Sequence, residues 1–220
     1  MPKLAVLDIG TNSIHMVLAE VQPDYPYKIL DRFKDMTRLG DGVFTSRRLS
    51  DQAMMRGLEV IRNLVTLARN KGYERIEGVA TSAVREARNG GEFLDHVAQQ
   101  TGLTVRVITG AEEARLIFLG VQNSVALPEP PTLVIDIGGG SVEVIVGNRE
   151  TIYQARSLKL GAIRLKDLYL TKTPPSKAML HELEEAVTGQ LKQALGTYKT
   201  KRVEQIIATS GMAANLAEVI

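Results

Sequence analysis

The chain has 220 residues, 44% of them hydrophobic and 24% charged, with a formal net charge of +2. That balance is ordinary for a globular protein with a sizeable core, and it declares no long-range field for nucleic acid or a membrane surface. The absence of cysteine excludes disulfides, thiolate metal sites and a cysteine nucleophile, and it suits a reducing compartment.

In chain order, MPKLAVLDIG carries a short apolar run broken by Asp8, which is neither a signal peptide nor a membrane span. A cytoplasmic protein without nucleic-acid or membrane partners is expected. Leu4 to Leu7 and Ile14 to Val21 read as strands around a polar turn, and Tyr27 to Phe33 as a third. Ser50 to Lys71 reads as a helix, capped by Ser50 and ended by Gly72, with Met54, Leu58, Ile61 and Val65 at helical spacing. Arg75 to Ala80 and Thr104 to Ile108 read as strands. Glu92 to Gln100 and Ala111 to Val121 read as helices.

Leu127 to Pro131 (LPEPP) cannot continue a helix or a central strand and marks a boundary between residues 1–126 and 127–220. Beyond it come a strand to Ile137, a glycine turn, a strand to Val146 and a further strand from Thr151 to Ser157. A long helix should open at Pro174 or Pro175 and run to about Tyr198. Val203 to Ala208 reads as a strand, and Gly211 opens a final apolar segment. Alternating strands and helices imply α/β architecture. The basic clusters at Arg47-Arg48 and Lys199 to Arg202 read as solvated surface.

The chain repeats itself. LAVLDIGTNSIHMVLA and TLVIDIGGGSVEVIVG align without a gap 128 residues apart, so Asp8 falls on Asp136, Gly10 on Gly138 and Ser13 on Ser141. Two copies of strand, Asp-Ile-Gly, small residues and strand imply two related lobes. Such glycine-rich turns let backbone N–H groups converge on an anion. Gly10, Thr11, Asn12 and Ser13 form the first candidate phosphate loop; Gly138, Gly139, Gly140 and Ser141 form the second. A bare carboxylate would repel phosphate. Asp8 and Asp136 therefore make sense if they hold a divalent cation such as magnesium, which takes one or two carboxylates plus substrate oxygens. His15, on a strand between Ile14 and Met16, reads as a packing or supporting residue.

VLDIGTNSIHMVLAEV, ATSAVREARN, VITGAEEARLIFLGV, VIDIGGGSVEVIVG and ATSGMAANLAEVI occur in this order. Together they resemble the exopolyphosphatase and guanosine-pentaphosphate phosphohydrolase family of the actin, Hsp70 and sugar-kinase superfamily. The resemblance implies two ribonuclease-H-like (actin-like) lobes, each a mixed sheet flanked by helices. It implies release of a terminal phosphate from polyphosphate or pppGpp by water, with magnesium, in a cleft between the lobes. By the same resemblance Glu113 is the catalytic glutamate, with its neighbour Glu112 as competitor; on a helix the two point roughly 100° apart. Asp136 and Glu143 match further acidic positions, so Asp8, Asp136 and Glu143 form the expected metal-holding set. Arg85 matches an arginine near the phosphates, with Arg88 as alternative. Thr209-Ser210-Gly211 matches a later turn in the cleft wall. The family continues beyond Ile220, so the second lobe is expected to be incomplete, with Leu216 and Val219 short of burial surface and a homodimer as one outcome. The competing functions are an ATP-dependent phosphotransferase of the same fold and a non-catalytic polyphosphate- or alarmone-binding module.

Overall fold

The computed structural model describes residues 2–21, 27–196 and 203–219. By its contacts the chain divides into two compact units, Met1–Ile108 and Thr109–Ile220. The Lys199 to Arg202 cluster and Tyr198 lie outside the described residues.

The first unit runs β1 (Lys3–Ile9), β2 (Ile14–Glu20), β3 (Lys28–Asp35), α1 (Val43–Ser46), α2 (Asp51–Asn70), β4 (Arg75–Ala80), α3 (Ser82–Glu86), α4 (Gly90–Thr101) and β5 (Val105–Val107). Its sheet has the order β3-β2-β1-β4-β5. The first three strands pair antiparallel, and β1, β4 and β5 pair parallel. Alternation decides which face is inward. Ala5, Leu7 and Ile9 on β1 and Ile14, Met16 and Leu18 on β2 are buried, as are Ile61, Val65 and Ala68 on α2 and Phe93 and Val97 on α4. Ser50 caps α2 by accepting from the Ala53 amide, as its sequence position predicts. Gly57 lets α2 close on Phe93 and Leu39, which stand where a β-carbon would press.

The second unit runs α5 (Gly110–Ser124), β6 (Thr132–Ile137), β7 (Val142–Gly147), β8 (Ile152–Leu158), α6 (Ala162–Tyr169), α7 (Lys177–Leu195), β9 (Gln205–Thr209) and α8 (Ser210–Val219). Its sheet order, β8-β7-β6-β9, repeats β3-β2-β1-β4, so the sequence repeat extends to the topology. All six residues of β7 are buried because helices cover both faces. On one face Ala114, Phe118 and Val121 of α5 pack with Val134 and Ile145. On the other, Val142, Val144 and Leu160 meet Leu165, Val187 and Leu191.

Several features depart from the sequence reading, which also assigns no helix at α1 or α3. The division by contacts falls at Ile108/Thr109, ahead of the proline-rich segment, because the apolar face of α5 is spent on β7 and β8 of the second unit. Pro174 and Pro175 precede α7 instead of opening it; Ser176 is its cap, accepting from the Met179 amide. The sequence reading assigns no helix at Ala162–Tyr169, because Gly161 offers no capping side chain. On α8, Leu216 is 57% and Val219 84% exposed. No helix among the described residues is long and apolar enough to cross a membrane.

Candidate active site

The two glycine loops close in the same way. Gly10 N–H donates to the Ser13 carbonyl at 3.1 Å, and Gly138 N–H to the Ser141 carbonyl at 3.0 Å. The strands then leave each loop in equivalent register. Asp8 stands opposite His15, and Asp136 opposite Glu143. In each loop the serine hydroxyl turns toward the residue two places on. Ser13 Oγ lies 2.7 Å from His15 Nε2, and Ser141 hydrogen-bonds the Glu143 carboxylate. Both hydroxyls expected on phosphate thus have protein partners. Thr11 is buried, with Gly40 so close that a β-carbon there would overlap the threonine methyl. Asn12 is half-buried and its carbonyl accepts from Arg38 N–H at 2.8 Å.

The second unit gathers the carboxylates. Glu143 is 1% exposed, since β7 is covered on both sides. Burial, and next the Glu113 charge, push its carboxyl up from the ordinary glutamate range to about 7. Ser157 Oγ–H, opposite it on β8, donates to Oε1 at 2.7 Å and works the other way, favouring the anion, as does Ser141. Asp136 is also raised by burial, partly offset by a hydrogen bond from Thr209 Oγ1 on β9. Glu113 sits in the first turn of α5, whose cap Thr109 accepts from the Glu112 amide. Its charge acts on Glu143, whereas Glu112 is not among the groups that do so. The two neighbours therefore differ in environment as the helical angle between them requires.

The loop itself is held from below. The carbonyls of Gly138 and Gly139 accept from the amides of Ala162, Ile163 and Arg164 at the start of α6. Arg164, 5% exposed, adds Nε–H to the Gly140 carbonyl at 2.6 Å. With these carbonyls turned down toward α6, the loop amides are the groups left to meet an anion. Gly161 is required here, because a β-carbon would overlap the backbone of Gly139 and Gly140. Ser157, Gly161 and Arg164 lie in ARSLKLGAIRL, which carries no recognisable signature, and only strand register and burial reveal them.

In the first unit, Arg85 on α3 is half-buried and donates from Nη1 to the Ile108 carbonyl at 2.8 Å. Asp8 is exposed on β1. Ser210 sits at φ 79°, a conformation side chains rarely adopt, and its hydroxyl donates to the Ile137 carbonyl at 2.7 Å. Among the described residues no three acidic or histidine side chains are grouped to hold a metal ion. A preassembled cage of three carboxylates is thus not built. The donor set still fits a partly hydrated magnesium ion, which needs only one or two carboxylates. The buried Glu143 and the half-buried Glu113, which repel each other, are the kind of anions such a charge would stabilise.

Two units on one strand order, each presenting an acid-and-glycine hairpin, define an actin-like α/β protein. The sequence model of the Ppx/GppA phosphatase family matches residues 6–220, and the chain belongs to that family. It is accordingly a phosphatase-type hydrolase. The crystal structure of an exopolyphosphatase from Cytophaga hutchinsonii is 32% identical and superposes with a TM-score of 0.89, over 99% of this chain and 69% of that one. The Ppx/GppA family member of Aquifex aeolicus is 30% identical, with a TM-score of 0.76 over 99% and 69% of the two chains. The ethanolamine utilization protein EutJ of Carboxydothermus hydrogenoformans, 16% identical with a TM-score of 0.54 over 99% of this chain and 80% of that one, shares the fold alone.

Proposed function

We propose that this phosphatase hydrolyses the terminal phosphoanhydride bond of linear inorganic polyphosphate, with pppGpp as a second substrate of the same chemistry. The observation that carries the reading is the relation between Glu113 and Glu143 beside the Gly138–Ser141 loop: a second carboxyl raised to about 7 by burial and, next, by the charge of a carboxylate at a helix start. A carboxyl raised toward neutrality beside a second carboxylate is an arrangement suited to aiming a water and taking its proton near neutral pH. The similarity to the Cytophaga exopolyphosphatase supports polyphosphate as the first substrate.

In this mechanism the loop amides at Gly139 and Gly140 receive the terminal phosphate. Glu113 orients the attacking water and accepts its proton. Glu143 and Asp136 keep their hydrogen bonds to Ser157 and Thr209, which fix the direction of their carboxylates. Magnesium or another divalent cation would be held by Asp136 and Glu143. It would supply charge neutralisation for the transferring phosphoryl group.

The test is release of inorganic phosphate from polyphosphate and from pppGpp, each with and without added magnesium. Metal-dependent release from polyphosphate is expected. Binding of either compound with no release at any magnesium concentration would make the chain a non-catalytic binding module instead. Transfer of phosphate from ATP to a sugar, without hydrolysis of polyphosphate, would make it a phosphotransferase.

A further inference from the structure

Arg38 and Arg47 share an unusual backbone. Among the described residues, three that are not glycine have positive φ, and two of them are these arginines, at 52° and 60°. Left-handed backbone disfavours any side chain with a β-carbon, and glycine would be the comfortable residue at both places. Strain of this kind persists where the side chain has a use.

Both positions are tied to the first glycine loop through backbone bonds. Arg38 N–H donates to the Asn12 carbonyl at 2.8 Å, and Gly40 N–H to the Thr11 carbonyl at 2.8 Å. From Gly40 the chain turns directly into α1, through Val43 N–H to the Gly40 carbonyl, and α1 ends on Arg47. The Arg47 carbonyl in turn accepts from Arg88 N–H at 2.9 Å, which brings in the turn after α3. Arg38, Arg47, Arg48 and Arg88 therefore sit on backbone segments tied to one another and, through Arg38, to the loop. All four are exposed. Among the described residues, no hydrogen bond or ion pair engages their guanidinium groups. Asp41 is the only acid between Met36 and Leu49.

We infer that these four arginines form a track for a stretch of a linear polyphosphate chain beside the glycine loop of the same unit. The inference rests on the proposed hydrolysis of polyphosphate and adds where the rest of the chain lies. A free guanidinium meets phosphate oxygens in pairs, and a row of them suits a flexible polyanion with one charge per repeat. A compact substrate such as tripolyphosphate is too short to use the far end of the row.

The test uses the full chain and the two strained positions, since glycine there relieves the backbone while removing the charge. Arg38→Gly, Arg47→Gly and the double variant are compared with the parent for binding of long-chain polyphosphate, in parallel with tripolyphosphate. Each single change is expected to weaken long-chain binding by about fivefold to tenfold, the double change multiplicatively, and tripolyphosphate binding less. The dependence of long-chain affinity on salt should become shallower by about 0.7 in log–log slope for each arginine lost. The thermal midpoint should not fall, which separates lost contacts from lost folding. A double variant that binds long-chain polyphosphate as the parent does overturns the track. Displacement of bound polyphosphate by an equal concentration of RNA phosphate at the same salt also overturns it, in favour of a nucleic-acid surface. A parent that binds through these arginines yet releases no phosphate would leave the track standing and sink the proposed reaction.

Discussion

Asp136 and Glu143 face each other across the β6–β7 hairpin, and in the first unit the same register pairs Asp8 with His15. The duplicated hairpin is thus acid against acid in one copy and acid against imidazole in the other. Burial, and then the Lys34 charge, lower the pKa of His15 from the ordinary histidine range, which favours the neutral ring. The two loops are therefore not electrostatic equivalents. The second sets two carboxylates opposite each other, while the first sets one carboxylate opposite an imidazole.

If Glu113 aims the water, Glu113→Gln keeps the shape and removes the proton acceptor. Phosphate release should fall by about 10²–10⁴. Affinity for polyphosphate, measured directly, should change little. Turnover near the parent level in a folded variant would remove Glu113 from its role.

Burial of Glu143 makes stability depend on pH in a defined window. Its folded pKa is raised from 4.5 to about 7. Between these values the folded chain holds a proton that the unfolded chain has lost, so stability falls as pH rises from 4.5 to 7 and is flat above. The loss amounts to about 3 kcal/mol at most. Glu143→Gln should abolish it. Urea midpoints of the two proteins in chelator should agree near pH 4 and separate in favour of the variant at pH 8.

Ser157 favours the ionised form of Glu143 through its hydrogen bond to Oε1. Ser157→Ala should therefore raise the Glu143 pKa further. The acid limb of log kcat against pH should move to higher pH, with KM for polyphosphate little changed. An unmoved limb would show that Glu143 is not the group whose ionisation the rate reports.

At Gly161 the side chain of alanine would overlap the backbone of Gly139 and Gly140. Gly161→Ala should cost about 1–3 kcal/mol of stability. It should also lower kcat by more than the folded fraction explains, because relief of the overlap moves the phosphate loop off α6. Circular dichroism melts and specific activity, taken on the same preparations, separate the two effects.

Much of the fold is legible in short stretches. The Ser50 cap, the glycine turns and the alternation of Ala5, Leu7 and Ile9 are local matters of turn chemistry and period. So is the duplication that places Asp8 on Asp136. Glu143 is the opposite case. In VEVIVG it has the look of the polar half of an alternating strand, and only helices arriving on both faces of β7 make it a buried acid. α6 was missed for a related reason: its first amides are satisfied by the carbonyls of Gly138 and Gly139 instead of by a capping side chain of its own.

The amino-acid order alone settled the two Asp-Gly hairpins and the longer strands and helices between them, though not the short α1 and α3, because dihedral preferences and hydrophobic period act over a few residues. Tertiary structure decided which acids meet. Glu113 and Glu143 come together because α5 lies against β7 and β8, and Ser157 reaches Glu143 through strand register. Desolvation and charge repulsion depend on neighbours distant in sequence, so the acidity of this site belongs to the folded unit.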